Sequence, residues 1–169
     1  MIYQIETRIL EESAKILVKE KDQRYFTYKP IKKIVKMLAE KKVLYSLGFD
    51  LALNKILDVQ FVGLQDFFEV KTFSGSKIKI GIDAEIYVDG EWVRVEEILF
   101  HEKIYEYNML QDVFRDTFIT HIDKSGNYRA YKISIERPEG IVINNLIVRF
   151  ESEIDDDALP ESTIVNENS

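Results

Sequence analysis

The first residues in this chain whose types could do chemistry surround His101. Glu96 and Glu97 precede it and Glu102 adjoins it, and a histidine paired with a carboxylate can act as a general acid and base. On a strand, however, adjacent residues face opposite sides, so Glu102 is badly placed to hold the His101 ring. We therefore predict no catalytic pair at this position.

A second histidine forms a weaker candidate site. His121 and Asp123 are two residues apart on a predicted strand, hence on one face, and Asp116 is near in sequence. Such a group could bind a metal weakly or exchange protons. The neighbouring Lys124-Ser125-Gly126 is typical of a solvent-exposed hairpin end, which is the interpretation that we favour.

The sequence contains few other residues that could bind a metal or a cofactor. The 169-residue chain contains no cysteine, which excludes a disulfide, a thiolate nucleophile and a zinc–thiolate centre. The acidic run at residues 155–157 has neither the glycine nor the distal glutamate of a calcium-binding loop, so we predict a solvated run. No glycine-rich phosphate loop, G-x-S-x-G or H-E-x-x-H motif occurs. We expect no cofactor and no bound metal.

The balance of charge argues against binding to nucleic acid. The formal net charge is −7 at pH 7, whereas non-specific binding depends on lysine and arginine side chains that neutralise phosphates. Part of the acidic excess lies near the C-terminus, so a local basic patch stays open as an alternative to a solvated helix face, which we favour. The candidates for such a patch are Lys32, Lys33, Lys36, Lys41 and Lys42.

No segment of the sequence predicts export or a membrane span. The N-terminus has no basic region followed by an apolar run, the pattern of a signal peptide. No stretch approaches the roughly 20 apolar residues that a spanning helix needs. We expect a cytoplasmic protein, or a virion protein if the chain is encoded by a bacteriophage.

The elements that position these residues begin with two predicted helices. Over residues 6–21 the apolar residues recur about three and four positions apart, as on one face of a helix. Pro30 opens a second candidate, in which apolar residues are spaced i, i+3, i+4 and i+7. The two apolar sets are Ile9, Leu10, Ala14, Leu17 and Val18, and then Ile31, Ile34, Val35 and Leu38. We predict a helical segment over residues 1–42.

From Val43 onward the apolar period changes to two, which predicts strands. Turn signals separate them at Ser74-Gly75-Ser76, Asp89-Gly90 and Ser125-Gly126-Asn127. The predicted strands cover residues 43–47, 56–61, 67–73, 77–80, 85–88, 92–95, 103–107, 117–122, 128–135 and 141–150. We predict a mainly β fold, a compact barrel of short antiparallel strands, over residues 43–150. Residues 151–169 are acidic and polar, which predicts a flexible tail.

The paired hairpins resemble a known family. Val70, Thr72, Gly75 and Ile78 fit the pattern V-x-T-x-x-G-x-x-I, and the chain then continues to a D-G-E-W turn at residues 89–92. Both features resemble the middle of the Hint domain of inteins and hedgehog proteins. Residues 131–135 and 140–145 resemble the closing intein strands, which read roughly Y-D-I-x-V and G-I-V-V-H-N. The resemblance covers residues 43–148 and implies a horseshoe-like β fold with pseudo-twofold symmetry.

The resemblance also implies protein splicing, for which most of the necessary residue types are missing. Splicing needs a Cys or Ser nucleophile at the start of the domain, a T-x-x-H motif, and a cyclising Asn that follows a His and precedes a nucleophile. The T-x-x-H positions are Gly81 and Ala84. The final positions are Asn144, Asn145 and Leu146, so only Asn145 keeps the family's residue type.

The start of the domain is also expected to have no nucleophile. Counting back from Val43 puts the first position of the family near Lys36, inside the second predicted helix. The resemblance implies that Lys36, Ala84 and Asn145 come together in the folded chain.

These departures indicate a splicing-dead Hint fold. We expect a non-enzymatic structural or interaction protein that binds other protein subunits, with a phage virion or assembly component as one setting. Two alternatives stay open. One is residual self-processing, in which Asn145 cyclises and releases everything from Leu146 onward. The other is a nucleic-acid-binding β-barrel that uses the N-terminal lysines.

Overall fold

The fold is built almost entirely from strands. The structure is a computed structural model that describes residues 6–48, 51–81, 84–88, 90–98, 103–137 and 140–150. Within those residues it contains twelve strands, one α-helix and a 3-10 turn at Val95–Glu97. In chain order they are β1 Glu6–Glu11, β2 Lys15–Glu20, β3 Thr27–Pro30, α1 Ile31–Ala39, β4 Leu44–Leu47, β5 Leu53–Thr72, β6 Lys77–Ile80, β7 Ala84–Val88, β8 Glu91–Arg94, β9 Lys103–Asn108, β10 Val113–Ile135, β11 Ile141–Ile143 and β12 Leu146–Phe150.

The strands form one antiparallel sheet that curls back on itself. Its order is β10-β1-β6-β5-β4-β2-β11-β12-β9-β7-β8, with β3 attached to β2. Additional pairings join β10 to both β5 and β9, and β12 to β7, so strands distant in this order also meet. The predicted mainly β, antiparallel architecture is confirmed, and so are the hairpins at residues 74–76 and 88–91.

The predicted turn at Ser125-Gly126-Asn127 is wrong, because its glycine lies inside a long strand. β5 and β10 have 20 and 23 residues and pair from Thr72↔Ile119 to Ile56↔Ile135. Gly126, predicted in a turn, lies beside a register shift in β10 with φ 122°. Gly63 similarly lies within β5 with φ 92°. One class of β-bulge takes a glycine with positive φ, and the same residue type marks a turn.

The first predicted helix is also wrong, because residues 6–21 form β1 and β2. A turn separates the two strands at Glu12 and Ser13. Ile16, Leu17 and Val18 are all buried, and such a continuous apolar run is typical of a strand covered on both faces. The apolar spacing of this segment fits a helix only by coincidence. The segment forms strands because β1 pairs with β10, and β2 pairs with β3, β4 and β11. Strands rather than a helix therefore precede α1 in the described part of the chain, from Glu6 to Pro30.

The second predicted helix is confirmed as α1. Pro30 lies at its N-cap, and Ile31, Ile34 and Met37 are buried. Lys41 follows the helix with φ 66°. No helix among the described residues is long and apolar enough to cross a membrane. The predicted tail, residues 151–169, lies outside the described residues.

Three strands in the middle of the sheet are buried on both faces. In β2, Ile16 and Val18 join the main core, whereas Leu17 joins a smaller cluster on the opposite face. β11 and β12 repeat this alternation, with Val142 and Ile147 in the smaller cluster. Every residue from Ile141 to Ile143 and from Leu146 to Val148 is buried. The β11–β12 hairpin is therefore enclosed between two layers of side chains.

We predict that Gly140→Ala destabilises the protein much more than Gly75→Ala. Both glycines have positive φ, 84° and 100°, so each alanine carries a backbone cost of about 1 kcal/mol. At Gly140, however, the new Cβ would lie 3.0 Å from the Val148 carbonyl oxygen and 3.0 Å from Trp92, whereas nothing lies within 4 Å at Gly75. The added clash should bring the loss for Gly140→Ala to about 2–4 kcal/mol. Urea unfolding of both variants measures the difference, and equal losses would contradict the prediction.

Candidate functional site

The Asn144–Asn145 pair forms the turn between β11 and β12. Ile143 and Leu146 are paired on either side of it, so the loop has two residues. Asn144 and Asn145 have φ values of 49° and 73°, which is the left-handed conformation required at both central positions of a type I′ turn. Asparagine tolerates this conformation better than most residues. The turn therefore accounts for both asparagines without any chemistry.

The Asn144 side chain connects three elements around this turn. Its Oδ1 accepts a hydrogen bond of 2.8 Å from the Lys15 backbone N–H. Its Nδ2 donates a bond of 3.1 Å to the Lys77 carbonyl oxygen, and its own N–H donates to the Lys15 carbonyl oxygen at 3.0 Å. Asn144 thus ties the start of β2 and the start of β6 to the hairpin.

Asn145 is held by both its main chain and its side chain. Its carbonyl oxygen accepts a 2.7 Å hydrogen bond from the Tyr107 backbone N–H. Its Nδ2 donates to Ser76 Oγ at 3.3 Å, and Ser76 Oγ in turn donates to Glu106 Oε2 at 2.8 Å. Cyclisation requires Nδ2 to attack the carbonyl carbon of the same residue. The Tyr107 N–H could polarise that carbonyl, but Leu146 on the far side of the bond is completely buried.

A serine hydroxyl that the sequence analysis did not identify lies near this turn. Ser13 Oγ donates a short hydrogen bond to Glu11 Oε1, and the Ser13 N–H donates to Glu11 Oε2 at 3.0 Å. The Glu11 side chain is buried, with 3% of its surface exposed. The predicted helix hid this arrangement, because residues two apart do not face each other on a helix.

The T-x-x-H positions lie at a different corner of the molecule. The Ala84 N–H donates to the Gly81 carbonyl oxygen at 3.1 Å, closing the turn before β7. Ala84 pairs with Phe150, the last residue of β12, and Glu85 pairs with Arg149. The Arg149 guanidinium donates to Glu85 Oε1 from Nε at 2.9 Å and from Nη2 at 2.7 Å.

The structure does not bring the three expected positions together. Asn145 precedes the first residue of β12 and Phe150 ends that strand, so five residues, roughly 17 Å of extended chain, separate Asn145 from the Ala84 corner. Lys36 is exposed on α1. The chain segment beside the Gly81 turn is instead the end of β1, where Leu10 pairs with Ile80. The expectation that Lys36, Ala84 and Asn145 meet is therefore wrong.

The remaining candidates lie apart from both corners. His121 is exposed, with Nδ1 3.2 Å from Thr120 Oγ1. Asp116 lies 3.8 Å from Lys103 Nζ. Among the residues that the structure describes, no three His, Asp or Glu side chains are grouped so as to hold a metal. His101 and the acidic run at 155–157 lie outside the described residues. Lys32, Lys33 and Lys36 are exposed on α1.

The solved structures similar to this chain include several inteins. An intein from a hyperthermophile matches with a TM-score of 0.70 at 14% identity, over 85% of this chain and 100% of the intein. The DnaB intein from Synechocystis sp. PCC 6803 gives 0.68 at 18% identity, over 85% and 98% of the two chains. A mutant of the Ssp DnaB mini-intein gives 0.67 at 21% identity, over 89% and 95%. No family model and no curated protein matches the chain.

At such low identity, this likeness concerns the fold. The chain has the Hint-like fold of inteins, as the hairpin resemblance implied. The matched inteins are covered almost completely, so the likeness extends over their whole fold. It includes residues before Val43, where the sequence alone showed no resemblance.

We predict that Asn144→Ala destabilises the fold and that Asn145→Gly does not. Alanine at position 144 loses both side-chain hydrogen bonds and strains a backbone with positive φ, at a combined cost of about 1–3 kcal/mol. Glycine at position 145 keeps the backbone conformation and the bond from Tyr107, so its effect should stay within about 0.5 kcal/mol. Thermal and urea unfolding of the two variants check this. A larger loss for Asn145→Gly would show that Asn145 holds the turn.

Proposed function

We propose that this chain is a Hint-fold domain that does not splice and acts as a non-enzymatic structural or interaction protein. The observation that carries this proposal is the pairing of Ala84 with Phe150. In splicing, the histidine of T-x-x-H and the final asparagine serve one reaction sequence, which favours a shared corner for their positions. The pairing supports Arg149 and Phe150, rather than Asn144 and Asn145, as the counterparts of the final His-Asn pair.

The residue types at this corner support loss of the chemistry. Gly81, Ala84 and Phe150 have no side-chain group that can donate or accept a proton. The Arg149 guanidinium has donors but no acceptor, and it already donates twice to Glu85. Splicing also needs a nucleophile at the start of the domain. Leu10, which lies beside this corner through its pairing with Ile80, has no nucleophilic side chain.

The burial of β12 further opposes cleavage after Asn145. Release would begin at Leu146, and Leu146, Ile147 and Val148 are fully buried between two layers of side chains. Asn145 itself is fixed in a two-residue turn. Movement of the Asn145 amide toward its own carbonyl carbon would break the bond to Ser76 and strain the turn, inside a hairpin that the whole core holds in place.

Residual cleavage at Asn145 is the second candidate function, because one observation favours it. The 2.7 Å hydrogen bond from the Tyr107 N–H to the Asn145 carbonyl oxygen would stabilise negative charge on that oxygen during attack. The two candidates differ in a directly measurable product, a fragment that ends at Asn145.

We predict that the purified chain keeps its full mass. Incubation over several days at neutral pH and raised temperature, followed by intact-mass spectrometry, should show one species, because Gly81, Ala84 and Phe150 have no catalytic side chain and Asn145 is held in its turn. Asn145→Ala is the matched control and should be indistinguishable. A fragment ending at Asn145 in the natural sequence and missing from the variant would overturn the proposal and restore self-processing.

A partner surface is supported by apolar side chains along β5. Leu57, Phe61 and Leu64 are 41%, 49% and 63% exposed, although each is a large hydrophobic residue. A series of exposed apolar residues on one strand is typical of a surface that docks on another protein. A subunit contact of this kind suits the proposed structural role, and a phage virion or assembly particle is one setting for it.

We predict that Leu64→Glu weakens association with partner subunits and that Leu110→Glu does not. Both leucines are exposed, Leu110 at 95%, but Leu110 lies in the turn between β9 and β10, away from the β5 series. A charge placed in an apolar contact should cost about tenfold or more in affinity, because the glutamate must be desolvated. Co-purification of the tagged full chain from its native source measures this. A chain that stays monomeric and retains no partner contradicts the interaction role.

A further inference from the structure

A cleft of about 470 Å³ lies beside the Asn144–Asn145 turn, between the starts of β2 and β6. This volume is within the range of small-molecule sites. Its charged lining consists of Lys15, Lys77 and Lys79 against one carboxylate, Glu69. On a chain whose net charge is −7, three lysines that line one cleft are a local concentration of positive charge, which attracts anions.

Two of these lysines have no acidic partner among the described residues. Lys79 Nζ lies 4.0 Å from Glu69 Oε2 and 4.9 Å from the centre of the Tyr128 ring, so Lys79 largely balances Glu69. The ammonium groups of Lys15 and Lys77 form no ion pair within the part of the chain that the structure describes. The cleft therefore holds two ammonium groups without an ion-pair partner, while the carboxylates of Glu11 and Glu106 lie behind the hydroxyls of Ser13 and Ser76.

The inner wall of the cleft contains a tyrosine whose hydroxyl lacks a partner. Tyr28 lines the cleft, yet its hydroxyl oxygen is buried and makes no hydrogen bond with the described residues. Burial raises the pKa of Tyr28 well above its usual value, and the nearby N–H of Asn145 opposes this only partly, since it does not reach hydrogen-bond geometry. The hydroxyl thus remains a protonated donor, and a buried donor without an acceptor costs about 1–3 kcal/mol.

The other polar groups nearby are already engaged. Ser13 donates to Glu11, and Ser76 donates to Glu106. Asn144 uses both side-chain atoms to bridge β2 and β6. What the cleft leaves available is one hydroxyl donor and two ammonium groups, and this set matches the oxygens of a small anion.

We infer that this cleft binds a small polyanion, a phosphate compound or a di- or tricarboxylate, through Lys15, Lys77 and the Tyr28 hydroxyl. The two ammonium groups neutralise charge on the anion, and the hydroxyl donates to one of its oxygens. Lysine acts here as a mobile point charge, which tolerates either phosphate or carboxylate geometry. The site does not depend on the proposed function, because none of its three groups belongs to the Ala84 corner.

Calorimetric titration of the full chain at low ionic strength tests this site, with pyrophosphate and citrate as the two probes. We expect saturable binding of at least one probe at one site per chain. Stronger binding of pyrophosphate identifies a phosphate ligand, and stronger binding of citrate identifies a carboxylate ligand. Lys77→Gln should weaken binding about tenfold, and Tyr28→Phe should weaken it about fivefold, since each removes one donor to a charged group.

Lys32→Gln is the matched control, because Lys32 is an exposed lysine on α1 away from the cleft. It should change the affinity by less than about twofold, the difference expected from screened long-range charge alone. Circular dichroism of each variant verifies that the fold is kept, and Lys15→Gln replaces Lys77→Gln if the latter fails to fold. Lack of saturable binding to both probes overturns the inference. Equal losses for Lys32→Gln and Lys77→Gln also overturn it, because binding would then reflect only diffuse charge.

Discussion

Burial of the β2, β11 and β12 strands on both faces is the constraint on which the rest of the structure depends. Ile16 and Val18 enter one core and Leu17 enters the other, and the β11–β12 hairpin divides its side chains in the same way. A strand covered on both sides cannot expose unpaired backbone groups, so its neighbours must be complete. This requirement orders the sheet around the hairpin and fixes the Asn144–Asn145 turn between a closed core and the starts of β2 and β6.

The same constraint separates the turn from the corner where chemistry would be expected in a Hint-like fold. Because β12 continues through the core, the turn and Phe150 lie at opposite ends of one strand. The Ala84–Phe150 corner has an arginine–glutamate pair beside it, and the side chain of Ala84 can neither donate nor accept a proton. The turn, by contrast, borders a cleft whose free donors are lysines and one tyrosine hydroxyl. The proposed structural role and the inferred anion site both rest on this distribution of groups.

Local signals predicted the parts of the fold that short-range physics controls. The glycine turn at residues 74–76 and α1, with its proline start, were predicted correctly, because a positive φ or a fixed φ restricts the chain within a few residues. The error at residues 6–21 arose where apolar spacing fits two structures, and only partners from distant strands distinguish them. The same applies to Gly126, since a glycine with positive φ occurs both in bulges and in turns.

By itself, the sequence determined the chemical inventory: no cysteine, two histidines and one pair of adjacent asparagines. It also indicated a Hint-like fold, because hairpin patterns are local in the chain. Only the tertiary structure decided which residues meet. In that structure, Phe150 pairs with Ala84 and Lys36 lies on an exposed helix face. Lys15, Lys77 and Tyr28 line one cleft. Those contacts join residues as many as 66 positions apart, such as Ala84 and Phe150, and their register follows from core packing, which no local pattern encodes.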